Sequence, residues 1–150
     1  MKFMKLVIQR VKKASVTRVA DGQIVGQIKK GLFVLVGVKK GDSTTEVDIL
    51  VKKLSKLRIM SDEKDKMNLS VMDTKSEILV VSQFTLYANT KDGNRPSFID
   101  AEEPQKAQKI YEYFISSLKS LGLIVETGSF GDYMLIETQL DGPVTIILDS

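Results

Sequence analysis

Apolar residues in the first part of the chain follow the short period of β-strands. Residues 5–11 and 14–19 are rich in β-branched and aliphatic side chains. Asp21-Gly22 is a hairpin dipeptide, because glycine accepts positive φ without steric cost, and residues 23–28 predict the returning strand. After Gly31 the run Leu32-Phe33-Val34-Leu35-Val36 is apolar without alternation, which predicts a strand covered on both faces. The period then changes. Ser43-Thr44-Thr45-Glu46 reads as a capping box, and Val47, Leu50, Val51, Leu54 and Leu57 recur behind it at helical spacing.

Residues 62–66 predict a charged turn, residues 78–86 another strand, and residues 88–97 a polar loop holding Lys91, Gly93, Asn94, Arg95 and Pro96. A second helix starts near Pro104, whose fixed φ suits a first helical position. Its apolar stripe runs through Ala107, Ile110, Tyr111, Phe114, Ile115, Leu118 and Leu121 to a stop at Gly122, and this stripe is expected to be core. Two short strands, residues 124–127 and 134–139, come next. Asp141-Gly142-Pro143 breaks into a last strand, residues 144–148. Several connections are too short for crossovers, so pairing should be mostly antiparallel. The prediction is an α+β fold, one domain over residues 1–150, with a curved, barrel-like sheet and two main helices packed against it.

Composition narrows the chemistry more than the fold. The chain has 150 residues, no histidine and no cysteine. A histidine general base, a thiol nucleophile and a zinc site built on His or Cys are therefore excluded. No metal site or cofactor is expected from the spacing of Asp and Glu, and Asp62, Glu63 and Asp65 read as a solvated turn. The net charge of +3 permits a polyanionic partner without demanding one. The basic N-terminus lacks the long apolar run of a signal peptide, and no stretch is long enough to span a bilayer, so the expectation is a cytoplasmic protein away from membranes.

Two short segments carry candidate chemistry. Ser82-Gln83-Phe84-Thr85-Leu86 places hydroxyls, an amide and backbone N–H groups at a strand end, where such groups can hold a carbonyl oxygen as it gains negative charge. Spacing alone favours an ordinary strand end with plain serine and threonine. Gly142-Pro143 falls between two β-like segments, where proline is poorly tolerated, so the backbone there must be special; the isomer of the bond is not readable from the sequence. Lys91 and Arg95 can neutralise phosphates or simply face solvent. Phe130, between Gly128 and Gly131, can stack on a base or pack into the core.

Taken in order, these segments resemble the D-aminoacyl-tRNA deacylase (D-tyrosyl-tRNA deacylase) family. The resemblance is carried by Gln9-Arg10-Val11 with Ala14-Ser15-Val16, by Gly31-Leu32 with Val34 through Val38, and by Lys66-Met67-Asn68-Leu69-Ser70-Val71. It continues through Val80-Val81-Ser82-Gln83-Phe84-Thr85-Leu86, Arg95-Pro96-Ser97-Phe98 and residues 128–134, and closes on Asp141-Gly142-Pro143-Val144-Thr145. It departs at Leu140, where the family usually has asparagine.

The resemblance implies hydrolysis of the ester of D-aminoacyl-tRNA, and of glycyl-tRNA mischarged on tRNA(Ala), by a homodimer with its active site at the subunit interface. Ser82, Gln83, Phe84 and Thr85 would form the catalytic strand end that meets the aminoacylated 3′ end of tRNA. Gly142 and Pro143, from the partner subunit, would reject L side chains, with Arg10 orienting them. Lys91, Arg95 and Phe130 would contact tRNA. Two mechanisms remain open: oxyanion stabilisation by amides near Phe84 and Thr85 with help from the ribose 2′-OH, or a covalent Thr85 nucleophile. A nucleic-acid-binding module without catalysis is the competing class.

Overall fold

The computed structural model describes residues 3–150. Its frame is β1 (Lys5–Arg18), one long strand where the sequence suggested two. Along one edge β1 pairs antiparallel with β8 (Met134–Asp149). Along the other edge it pairs first with β3 (Gly31–Gly37), through Val11↔Gly31, and then with β2 (Gln23–Ile28), starting at Ala14↔Ile28. The β1–β2 turn carries Gly22 at φ +69, as the Asp21-Gly22 dipeptide required.

Two crossovers make the remaining pairs parallel. β3 leads through α1 (Thr44–Lys56) to β6 (Glu77–Ser82), and β6 leads through α3 (Pro104–Ser120) to β7 (Ile124–Thr127). Between them lie a small hairpin, β4 (Met60–Ser61) with β5 (Met67–Leu69), and a single turn, α2 (Val71–Thr74). The sheet is thus mixed, with antiparallel pairing predominant. It curls so far that β2 meets β7: a β-carbon added at Gly26 would lie 2.3 Å from the Thr127 carbonyl oxygen.

Curling produces two cores, and it explains the unalternated run. Leu32, Val34 and Val36 of β3, with Ile78 and Val80 of β6, face α1 and α3 and pack on Leu50, Leu54, Phe114 and Leu118. Phe33, Leu79 and Val81 point the opposite way, into the barrel, against Val11, Val16 and Ile28. The middle of β3 and of β6 is covered on both faces, so the residues there are apolar without alternation and polar ones appear only at the β6 ends, Glu77 and Ser82. The expected α3 stripe is core except at Leu121, which the helix end leaves exposed. The predicted capping box holds α1: the Ser43 N–H donates to Glu46 Oε2 at 2.7 Å, and the Thr45 N–H donates to Ser43 Oγ at 3.3 Å.

Two boundaries differ from the sequence reading. The strand expected over residues 78–86 stops at Ser82, and Phe84–Tyr87 form a 3₁₀ turn. The last ladder bond, Gln83 N–H to Val36 O at 2.8 Å, is where the chain turns away. Conversely, residues 134–139 and 144–148 are not separate strands; β8 runs through Gly142-Pro143 unbroken apart from bulges. Among the described residues β8 pairs with β1 alone, so a proline that lacks an N–H forfeits no second ladder.

Candidate active site

A cleft of about 790 Å³ opens where β6 ends against the start of α3. Its floor is apolar, with Val38, Val81, Ala107, Met134 and Ile136. Ser82, Gln83 and Phe84 form one wall, Phe98 and residues 101–104 a second, and Phe130 with Gly131, Asp132 and Tyr133 a third. Phe84 is 57% exposed and meets Phe98 edge-on with ring centroids 5.0 Å apart. Phe130 lies 5.6 Å from Tyr111, so it packs partly on the core while its remaining surface lines the cleft. Tyr111 in turn donates to Val80 O at 2.9 Å, and burial pushes its phenol pKa up, which fixes it as a neutral donor.

The 3₁₀ turn supplies the polar groups. The N–H groups of Phe84 and Thr85 lead the turn, and among the described residues neither donates to a protein acceptor. Gln83 Nε2 donates to Thr85 Oγ1, so the threonine hydroxyl faces an amide donor rather than a base. Of the carboxylates that line the cleft, Glu102 is a poor base. Glu102 accepts the N–H groups of Glu103 at 2.9 Å and Gly41 at 3.2 Å, and these bonds, the Glu103 one foremost, hold it below the usual carboxylate range. Asp132 is engaged by the Ser129 hydroxyl. The arrangement suits stabilising a developing oxyanion, and it offers the attacking water no protein base at the turn.

Arg10 is buried, at 8% exposure, and its guanidinium is a clamp. Nε donates to the Asp141 backbone oxygen at 3.1 Å; Nη1 donates to Ile59 O at 2.9 Å and to Ser61 Oγ at 3.1 Å. The Asp141 carboxylate is 3.5 Å away. The clamp thus fixes the residue before Gly142, and the Gly142–Pro143 bond is cis. Gly142 has φ +131, and a β-carbon there would sit 3.0 Å from Val144 N, so only glycine fits.

One chain does not unite the two motifs. Gly142 and Pro143 lie opposite Arg10, which pairs with Leu32 and through it with Ile78, whereas Ser82 is level with Val36 and Leu6. That is four residues along the strands and three strands across, roughly 13 Å and 14 Å over the sheet surface. Neither Gly142 nor Pro143 lines the cleft. Lys91 and Arg95 are exposed, on a loop closed at its base by the Asn89↔Ser97 bridge, and they also stand outside the cleft. Sequence reasoning does not single out Ile59 or Ser61, and it takes in Tyr133 only as part of residues 128–134. Ile59 acts through its backbone oxygen and Ser61 through a hydroxyl that only the fold brings to Arg10, while Tyr133, 83% exposed, lines the cleft with Phe130 and follows Gly131 by two residues.

The family model described as D-Tyr-tRNA(Tyr) deacylase matches residues 7–149. The D-aminoacyl-tRNA deacylase of Aquifex aeolicus is 54% identical over 147 residues, with 98% of each chain covered. That of Thermosipho melanesiensis is 51% identical over 148 residues, covering 98% of this chain and 97% of the other. Among solved structures, the c-Myc DNA Unwinding Element Binding Protein superposes with a TM-score of 0.89 at 41% identity, covering 97% of this chain and 98% of that one. A probable eukaryotic D-amino acid tRNA deacylase gives 0.84 at 16% identity, covering 98% and 99%, a likeness of fold.

Proposed function

The chain belongs to the D-Tyr-tRNA(Tyr) deacylase family, and from that membership we propose that it hydrolyses the ester of D-aminoacyl-tRNA in the cytoplasm, with a chiral gate supplied by a second copy of itself. The observation that carries the second half is the separation of Gly142-Pro143 from the Ser82–Thr85 strand end within one chain. Gly142 and Pro143 are exposed, and β8 carries the exposed apolar residues Leu135, Leu140 and Ile147 around them. Such a face is suited to a two-fold contact, in which each Gly-Pro element enters the partner's cleft.

In that pair, the terminal adenosine and its aminoacyl group occupy the cleft beside Phe84. The Phe84 and Thr85 N–H groups receive the ester carbonyl oxygen. Water adds to the carbonyl carbon, the bond to the ribose oxygen breaks, and that oxygen takes up a proton. The ribose 2′-OH assists the water, a role that no side chain at the turn fills. The rigid Gly142-Pro143 backbone, held by Arg10, stands against the α-carbon and leaves no space for an L side chain. A D side chain points away from it, and glycine has none, so glycyl-tRNA is also cleaved. A gate made of backbone accepts many D side chains alike.

Subunit mixing tests the shared site. Gly142→Ala damages the gate and Phe84→Ala damages the cleft. A random mixture of the two recovers about a quarter of wild-type activity, because half the dimers are hybrids with one intact site of two. No recovery in a mixture shown to exchange subunits would overturn the cross-subunit reading.

A further inference from the structure

We propose that Lys12, Lys13, Lys29, Lys30 and Lys75 form a docking surface for the phosphate backbone of the RNA duplex that carries the aminoacylated 3′ end. Two lysine pairs face each other here. β1 leaves β3 at Val11↔Gly31 and joins β2 at Ala14↔Ile28, so Lys12-Lys13 and Lys29-Lys30 fill the two sides of the gap between those pairs. The register of β1 against β8 also shifts between Val11 and Lys13, and this bulge leaves both Lys12 and Lys13 exposed in succession. Lys75, in a left-handed conformation at the end of α2, stands two residues before Glu77, whose N–H donates to Lys30 O and whose Oε1 accepts the Lys29 N–H. All five lysines are exposed, and among the described residues none forms a salt bridge.

Like charges placed opposite one another on a sheet are unfavourable, so the cluster is a cost to the isolated fold. A polyanion removes that cost. The groove beneath, about 560 Å³, is lined by Lys13, Ser15, Gln27, Lys29, Thr138 and Gln139 among others, cations with hydroxyls and amides, the side chains that contact phosphate and sugar. Two carboxylates, Glu77 and Glu137, also line it, and Glu77 is committed to the backbone.

Position supplies the link to chemistry, and here the inference rests on the function proposed above. Lys13 pairs with Gln139, three residues from Gly142, about 10 Å along β8. A Gly-Pro element seated in the partner's cleft therefore brings its own lysine cluster close to the mouth of that cleft. The terminal adenosine enters there, and the phosphates of the following duplex lie beyond it.

The test compares Lys13→Gln/Lys29→Gln/Lys30→Gln with Lys52→Gln/Lys53→Gln/Lys56→Gln, an equal loss of charge from exposed α1 lysines. For the first variant, KM for D-tyrosyl-tRNA rises by about tenfold or more at unchanged kcat, and the salt slope of tRNA binding falls by about 3. Cleavage of D-tyrosyl-adenosine, which has no phosphates, is unchanged. The α1 variant keeps wild-type values. Wild-type KM and salt slope in the first variant, or equal losses in both, would overturn the docking surface. Binding of uncharged tRNA, read by anisotropy, judges the surface even if the wild-type protein cleaves no ester, which separates its failure from that of the proposed activity.

Discussion

The Arg10 side chain reaches from β1 to β8 and donates through Nε to the Asp141 backbone oxygen, 3.1 Å away, so the peptide that leads into Gly142 is held by a buried cation. The same guanidinium ties that peptide to Ile59, just before the β4–β5 hairpin, and to Ser61 within it. Replacing Arg10 by lysine keeps the charge and loses the fork that serves three acceptors. Buried oxygens left without a donor cost about 1–3 kcal/mol each. The expected outcome is a loss of roughly 2–4 kcal/mol in urea unfolding, together with a smaller ratio of D- to L-aminoacyl-tRNA cleavage. Unchanged discrimination in a folded Arg10→Lys protein would remove Arg10 from the gate.

Gly142→Ala forces a β-carbon to within 3.0 Å of Val144 N at a φ of +131. The gate must shift, and a displacement of about 1 Å is enough to lower kcat/KM for D-tyrosyl-tRNA by roughly a hundredfold. Far-UV circular dichroism stays native, because the change is confined to one bulge of an edge strand. Wild-type kinetics in this variant would show that the backbone at Gly142 does not touch the substrate.

Thr85 separates the two mechanisms. Its hydroxyl accepts from Gln83 Nε2 and has no base beside it. Thr85→Ala is expected to keep activity within about tenfold of wild type, since the backbone N–H remains; loss of a covalent nucleophile costs about 10⁴-fold or more. Single-turnover release of labelled D-tyrosine makes the distinction.

Asp42 gives the protein a pH-dependent weakness. Burial, reinforced by Glu46 and Glu102, pushes its carboxyl up to about 6, and among the described residues Oδ1 has no hydrogen-bond partner. The folded pKa exceeds the ordinary value of 3.8, so the folded state binds this proton more tightly than the unfolded chain. Stability from this group is fully present below about pH 4 and is lost as pH rises through about 6. Asn keeps an acceptor for the Lys39 N–H, which donates to Asp42 Oδ2 at 2.6 Å. Asp42→Asn therefore raises Tm relative to wild type at pH 7.5, and the advantage disappears near pH 4. A constant difference across that range would contradict the assignment.

Much of the fold is legible in the residues themselves. The capping box at Ser43, the stop at Gly122, the Asp21-Gly22 turn and the two-sided burial of residues 32–36 are local or compositional signals, and each has its structural counterpart. The misread boundaries have one physical origin: long-range pairing decided them. Apolar Phe84 and Leu86 continue the alternation of a strand, but no neighbouring strand remains to pair with them after Gln83. Pro143 looks like a strand breaker, yet among the described residues it sits where β8 has no second partner. The β4–β5 hairpin and α2 are too short to show a period. At the site, Ser82–Thr85 and Gly142-Pro143 were legible as unusual segments. Their separation, and the clamp from Ile59 and Ser61, exist only in three dimensions.

The most direct test of the chiral gate is hydrolysis of a matched pair, D-tyrosyl-tRNA and L-tyrosyl-tRNA, by the purified protein. The account predicts rapid release of D-tyrosine and no release of L-tyrosine above the uncatalysed rate. Release of both at similar rates would contradict the Gly142-Pro143 gate, with exposed Leu140 the first residue to examine, and release of neither would contradict the activity itself.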